Sequence, residues 1–153
     1  MSVPYDKFTE AFLAKITEYD FVNMKDFERN NLIDGYMKRA IAAFRHINPY
    51  DLSSTADDNI REFNVDIPAE EIDELVDIIS EGMLAQWMKP YTYKQENLEM
   101  ALNTRDFTTY SPAELLNRIS SAYVKVQKDF VSMMREYSYN CLLYTSDAAD
   151  EGL

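Results

Sequence analysis

The chain has 153 residues, of which 46% are hydrophobic and 27% charged, a balance typical of a globular domain and not of a disordered segment. The formal net charge is -12, and so acidic a chain lacks the clustered Lys and Arg that phosphate binding requires, so we expect no sequence-specific nucleic-acid binding. No apolar run reaches the ~18 residues of a membrane span, and the first residues lack the order of a signal peptide, so we expect no membrane partner and a cytosol-like compartment.

Glycine is scarce, with only Gly35, Gly82 and Gly152 in the chain. So few backbone-permissive residues disfavour a loop-rich or all-β chain and favour long helices. The first helix is predicted from about Tyr5 to Tyr19, because apolar residues recur there at spacings of three and four. This apolar stripe consists of Tyr5, Phe8, Phe12, Ile16 and Tyr19.

A second helix is predicted from about Lys25 to His46. It is expected to stop at Asn48-Pro49, since the residue before a proline is pushed out of the helical region. Its buried side is predicted to contain Phe27, Ile33, Tyr36, Met37, Ala40, Ile41 and Phe44.

The stretch DLSSTADDN at 51–59 is polar and rich in turn-forming residues, and it predicts a surface loop. Apolar and polar residues then alternate over 62–67, which is typical of a short strand or extended segment. We expect at most this one extended segment, because a single strand cannot form a sheet.

The third helix, predicted over 69–89, is expected to be the central one. Pro68 suits its first position, and acidic residues follow where the helix dipole favours negative charge. Its apolar stripe contains Ile72, Leu75, Val76, Ile79, Met83 and Trp87. Pro90 must end or kink this helix, and helical spacing resumes over 91–102.

The last helix is predicted over about 112–138, packed along the third. Ser111 can cap it, Pro112 suits its first turn, and Glu114 completes a capping box with Ser111. Its apolar stripe contains Leu115, Ile119, Ala122, Val126, Phe130, Met133 and Tyr137. About 25 residues correspond to ~40 Å, and a helix of this reach often meets a neighbour beyond its own core. The predicted fold class is therefore an all-α single domain of four or five helices.

The end of the chain lacks the apolar pattern of the helix before it. The segment CLLYTSDAADE at 141–151 resembles the translation of a transposon-end adapter used to prepare sequencing libraries. We therefore interpret 1–140 as one helical domain and 141–153 as a non-biological tail that replaces the true C-terminus. Removing the three acidic residues of this tail changes the net charge from -12 to -9.

The tail also holds the only cysteine, so disulfides and thiolate chemistry are not expected. We expect the tail itself to be loosely ordered or incidentally helical.

Few side chains could carry chemistry. His46 is the only histidine, and its position near a helix end explains it without catalysis. The acidic residues over 70–81 could form a carboxylate metal site, but no Glu-x-x-His motif accompanies them, and a solvated helix face explains them better. The sequence has no Gly-rich phosphate loop and no Gly-x-Ser-x-Gly or His-Glu-x-x-His motif. We therefore expect a binding or assembly protein without enzyme activity, and no catalytic, metal or cofactor site.

Aromatic residues make up 13% of the chain and methionine numbers 8, with clusters at 87–93 and 133–139. These clusters occupy more positions than one buried stripe can hold. Tyr, Trp, Met and Arg are enriched at the centre of protein interfaces, although ordinary core packing is an equally strong alternative. The candidate interface residues are Trp87, Met88, Tyr91, Tyr93, Phe130, Met133, Met134, Tyr137 and Tyr139.

The order of segments resembles the small neck, head-tail connector or adaptor proteins of tailed bacteriophages. The segments are NLIDGYMKRAIAAF, a polar loop, IPAEEIDELVDIISEGMLAQWMKPY, ENLEMALNTRDFTTYSPAELL and MMREYSYN, and they span about Tyr5 to Asn140. The resemblance implies a helical virion structural protein, made in the bacterial cytoplasm, that forms a homo-oligomeric ring linking the portal protein to tail or other neck proteins. It also implies that the ring continues the DNA channel, where an acidic subunit would repel phosphates instead of binding them.

Three other interpretations stay open: another virion or tail-completion protein, an acidic protein that mimics the charge of DNA to bind host proteins, and a metal-binding helical-bundle enzyme. Portal, capsid and tail genes beside this one would favour the connector. A stoichiometric bound metal would favour the enzyme.

Overall fold

The computed structural model describes residues 2–16, 26–92 and 112–151, and it describes side chains over 2–16, 30–90 and 117–140 and at Thr92. Within these residues the chain forms four α-helices and three very short strands. The helices are α1 (Asp6–Lys15), α2 (Asp26–Phe44), α3 (Ala69–Met88) and α4 (Pro112–Glu151), and a 3-10 turn at Lys89–Thr92 follows α3. The prediction of a small all-α domain with a long C-terminal helix is confirmed.

Helix α1 presents the predicted apolar stripe to the core. Tyr5, Phe8, Phe12 and Ile16 are all buried, whereas the predicted end of the helix at Tyr19 lies outside the described residues. Phe12 contacts Tyr36 of α2 edge-on, with ring centroids 6.0 Å apart. The stripe therefore joins α1 to the second helix, as an amphipathic helix does when it packs on a core.

Helix α2 has the buried side that its spacing predicts. Its core residues are Ile33, Tyr36, Met37, Ala40, Ile41 and Phe44, and the side chain of Phe27 lies outside the described part. The helix ends at Phe44, before the predicted stop at Asn48-Pro49, because a turn forms first. The amides of Ile47 and Asn48 both donate to the Phe44 carbonyl, at 3.1 and 3.0 Å.

A three-stranded antiparallel sheet is the main departure from the predicted fold. Its strands are β1 (Val3–Pro4), β2 (Ala56–Asp57) and β3 (Glu62–Phe63), in the order β1-β3-β2. The predicted extended segment at 62–67 supplies β3, but its two partners were not predicted. Strands of two residues are too short to show the alternating pattern by which a strand is recognised in a sequence.

The stretch at 51–59 is only partly the surface loop that was predicted, because it contains β2 and a buried leucine. The backbone amides of Ser53 and Ser54 donate to Asp51 Oδ1 at 3.1 and 2.9 Å. These bonds hold a tight turn in which Leu52 is only 2% exposed. The hydrogen bonds from Ser54 also hold the pKa of the Asp51 carboxyl below its ordinary value.

Helix α3 is the central helix, as predicted, and packs against α1, α2 and α4. It begins at Ala69, one residue after Pro68, and Pro90 ends it as expected, in the 3-10 turn. From Ile78 to Met88 the helix is buried at almost every position, including Trp87. A helix buried on nearly all sides must have neighbours on nearly all sides, which explains its central place.

Three helices come closest at Gly82 of α3. A β-carbon at this position would lie 2.8 Å from the ring of Phe130 in α4 and 2.9 Å from the β-carbon of Ala40 in α2. Only a residue without a side chain fits so near two neighbours. Further along, the rings of Phe44 and Tyr137 meet with centroids 5.3 Å apart.

Helix α4 is longer than predicted, with 40 residues against an expected length of about 25. At 1.5 Å per residue it is about 60 Å long, twice the length of the 20-residue α3. Its backbone stays helical to Glu151, so the helix includes most of the segment 141–153. The predicted capping box at Ser111 and the helix at 91–102 lie outside the described side chains and mostly outside the described residues.

A matched pair of glycine substitutions measures the contact at Gly82. We expect Gly82→Ala to destabilise the fold by about 1–3 kcal/mol, because the added methyl overpacks the contact with Phe130 and Ala40. Gly35→Ala is the control, since nothing lies within 4 Å of a β-carbon there, and it should stabilise α2 by about 0.5–1 kcal/mol. Urea unfolding of both variants gives the comparison. A Gly82→Ala variant as stable as the control would contradict this close packing.

Candidate functional site

Four of the nine candidate interface residues are part of the chain's own core. Trp87 is 3% exposed, and Met88, Phe130 and Tyr137 are equally buried. Their side chains already fill the space between α3, α4 and α2, so they cannot also form an exposed contact surface in this conformation. Their burial favours the alternative of ordinary core packing over an interface role for these four residues.

The remaining candidates lie mostly on α4. Met133 and Met134 are half-buried at the edge of the core, and Tyr139 is 63% exposed. The side chains of Tyr91 and Tyr93 lie outside the described part. An interface role therefore stays a prediction for Met133, Met134 and Tyr139 of α4. The side chains of Trp87 and Met88 are not exposed and so do not support it.

The exposed face of α4 carries charge of the opposite sign to the chain as a whole. Over 117–140, the exposed basic residues are Arg118, Lys125, Lys128 and Arg135, and the exposed acidic residues are Asp129 and Glu136. Val124 is 50% exposed beside them. At 100° per residue, Lys125 and Lys128 lie about 140° and 160° around the helix from the buried Phe130. They therefore face away from the core.

The exposed face of α3 is the reverse. From Ala69 to Glu81 its charged residues are all acidic, namely Glu70, Glu71, Asp73, Glu74, Asp77 and Glu81. Glu70, Asp73, Glu74 and Asp77 are exposed, which fits the predicted solvated helix face. Glu81 instead accepts a hydrogen bond from Lys15 of α1 at 2.5 Å.

This separation of charge was not predicted from the sequence. A net charge of -12 for the whole chain does not indicate that one surface is locally basic. The apolar stripe of α4 predicts only which side of the helix is buried. The signal was present in the spacing, since Arg118, Lys125, Lys128 and Arg135 recur at seven, three and seven residues on one helical face.

A polar network around Arg61 joins the N-terminal segment to α2. The guanidinium group of Arg61 donates to both oxygens of Asp34, through Nε at 3.0 Å and Nη2 at 2.8 Å, and to Asp6 through Nη1 at 2.8 Å. Its carbonyl accepts from the Tyr5 amide at 2.9 Å. The paired geometry with Asp34 is the strong form of this interaction, and it raises the pKa of Arg61.

The backbone of Arg61 is unusual, with φ of 53° in the left-handed region. This conformation costs a non-glycine residue about 1 kcal/mol or more. The three hydrogen bonds of its side chain to Asp34 and Asp6 explain why arginine occupies the position despite that cost. The residue therefore connects α1, α2 and the turn before β3.

Tyr5 and Asp58 form a second tie beside this network. The buried Tyr5 hydroxyl donates to Asp58 Oδ1 at 2.7 Å, and Lys38 of α2 lies 2.9 Å from the same carboxylate. Burial, the hydrogen bond and the negative charge of Asp58 all raise the pKa of Tyr5. The hydrogen bonds from Lys38 and Tyr5 lower the pKa of Asp58. Tyr5, Asp58 and Lys38 all have partners in this network, and holding the fold together accounts for it.

The other candidates for chemistry in the sequence are a carboxylate metal site and His46. Among the residues that the structure describes, no group of three or more His, Cys, Asp and Glu could hold a metal ion. His46 is exposed in the turn after α2. A shallow open groove of about 250 Å³ lies between the end of α2 and the turn at 51–53, lined by Arg45, Tyr50 and Leu52 among others.

Comparison with protein-family models, with curated proteins and with solved structures finds no match. Within the described ranges, no helix is long and apolar enough to cross a membrane.

Two substitutions at Arg61 test its structural role. Arg61→Ala is expected to destabilise the fold by about 2 kcal/mol, because it removes the charged hydrogen bonds to Asp34 and Asp6 while keeping the unfavourable φ. Arg61→Gly loses the same bonds but relieves the backbone, so it should be about 1 kcal/mol less destabilising than alanine. Thermal or urea unfolding measures both. Equal stability of the alanine variant and the wild type would contradict the role.

The Tyr5 hydroxyl predicts a specific pH dependence. Its folded pKa lies above the ordinary value of about 10, so its contribution to stability is complete below that pH and is lost as pH rises further. Tyr5→Phe has no hydroxyl to ionise, and its stability should fall less steeply than that of the wild type above about pH 10. Urea unfolding at several alkaline pH values gives the two slopes. Parallel slopes would show that the hydroxyl is not the group responsible.

Proposed function

We propose that this chain is a non-enzymatic structural protein of a tailed-bacteriophage virion, located at the head-tail junction, where copies form a ring between the portal protein and the tail. The proposal starts from the resemblance of its segments to neck and connector proteins. The comparisons neither add to this resemblance nor oppose it. Support from the structure comes from the length and the exposed side of helix α4.

The length of α4 is the observation that carries the proposal. Without the tail, α4 covers 29 residues over 112–140, or about 44 Å, whereas the 20-residue α3 is about 30 Å long and cannot cover all of it. In addition, the side of α4 that bears Lys125 and Lys128 faces away from the core. A helix that is longer than its partner and exposed on one side over 117–140 is suited to contact between subunits, in which each subunit extends over its neighbour.

The charge of the chain is compatible with a DNA conduit. A channel wall that carries net negative charge repels phosphates and so favours passage over binding. The net charge of -12, or -9 without the tail, supplies that repulsion if acidic surfaces line the lumen of the proposed ring.

The proposal predicts a large change in mass on assembly. Mass measurement in solution, of the chain alone and with the portal protein of the same phage, should give a ring or a ring bound to portal. A chain that is monomeric in both conditions would contradict the proposal. The matched control is the same measurement on a chain that ends at Asn140, because it shows whether the segment 141–153 affects assembly.

A further inference from the structure

We propose that the outer face of α4 docks on the acidic face of α3 of a second copy of this chain. The basic face consists of Lys125, Lys128 and Arg135, and the acidic face consists of Glu70, Glu74 and Asp77. This inference rests on the proposed function, since it identifies the surfaces through which the subunits of the ring meet. These two exposed faces form the proposed contact, and the buried side chains of Trp87, Met88, Phe130 and Tyr137 do not.

The six side chains are available for such a contact. All are exposed, and within the described side chains the salt bridges are Lys15–Glu81, Lys38–Asp58, Arg61–Asp6 and Arg61–Asp34. None of these involves the basic or the acidic face. The charges are therefore not used to hold the described fold together.

The two faces match in sign and in spacing. Lys128 and Arg135 are seven residues apart, as are Glu70 and Asp77, so each pair spans about 10.5 Å along one side of its helix. Two helices placed side by side can thus bring both pairs together in one register. Complementary charges of this kind fix the register of a contact and exclude wrong ones.

The faces point in different directions from the subunit. Lys128 lies about 160° around α4 from Phe130, which faces Gly82 of α3, and Asp77 lies about 140° around α3 from Gly82. One copy cannot bring its own two faces together while α4 packs on α3. A contact between unlike faces of two copies is head-to-tail, and such contacts close into rings when the rotation between copies allows.

Charge reversal tests the contact in the full chain. The basic-face variant is Lys125→Glu/Lys128→Glu/Arg135→Glu, and the acidic-face variant is Glu70→Lys/Glu74→Lys/Asp77→Lys. Each variant has two faces of like sign, so each alone should associate with itself at least about tenfold more weakly than the wild type. Sedimentation velocity at about 0.1 M salt, with portal protein present if the wild type needs it to assemble, measures the association.

Recombination of the variants separates a lost contact from a lost fold. An equimolar mixture of the two variants has complementary faces between unlike copies, and it should regain association, as should a single chain carrying all six substitutions. Failure of both to regain association would overturn the proposal. Unchanged association of either triple variant alone would overturn it as well.

A matched control excludes a general effect of charge. Lys7→Glu/Arg39→Glu/Arg45→Glu also reverses three exposed basic residues and changes the net charge by the same amount, on surfaces outside the proposed contact. It should associate as the wild type does, and an equal loss would overturn the proposal. If the wild type and the face variants all form rings with the portal protein, this contact is refuted, but the proposed function is not. A wild type that never assembles refutes the proposed function itself.

Discussion

The close approach of three helices at Gly82 is the constraint on which the rest of the structure depends. Ala40 of α2 and Phe130 of α4 both reach the space that a side chain at this position would fill. The contact between Phe44 and Tyr137 lies four residues further along α2 and seven further along α4. From their contacts with Gly82, α2 and α4 therefore run in the same direction. This fixes how α4 is rotated about its axis, and hence which of its residues face away from the core.

The N-terminal part of the fold adds charged hydrogen bonds to apolar packing. Strands of two residues each form too few backbone bonds to be stable alone, so the sheet needs other support. The guanidinium group of Arg61 provides it by binding Asp34 on α2 and Asp6 on α1, and Tyr5 adds a bond to Asp58. The helical core thus depends on close apolar packing, and the small sheet combines the same kind of packing, through Phe63 against Tyr5 and Phe8, with charged hydrogen bonds.

Sequence patterns predicted the elements that are long and amphipathic, and they failed where the structure depends on contacts distant in sequence. The stripes of α1, α2 and α3 follow from helical spacing, because burial of one side of a helix imposes that spacing directly. Nothing local marks Val3 and Ala56 as strand residues, since each is extended only because Phe63 lies beside it. The same limit applies to Trp87 and Tyr137. Their residue types are typical of both interfaces and cores, and only the position of α4 decides between the two.

The separation of charge between α3 and α4 bears most directly on function. A subunit whose surfaces were all acidic would repel its own copies at every contact, and a chain with a net charge of -12 faces that problem before it can assemble. Concentrating the acidic residues on the first turns of α3, where the helix dipole also favours them, leaves the outer face of α4 free to carry Lys125 and Lys128. Each copy then offers two unlike faces. A ring needs that asymmetry, because identical faces pair into closed dimers whereas unlike faces let the chain of contacts continue from copy to copy until it closes.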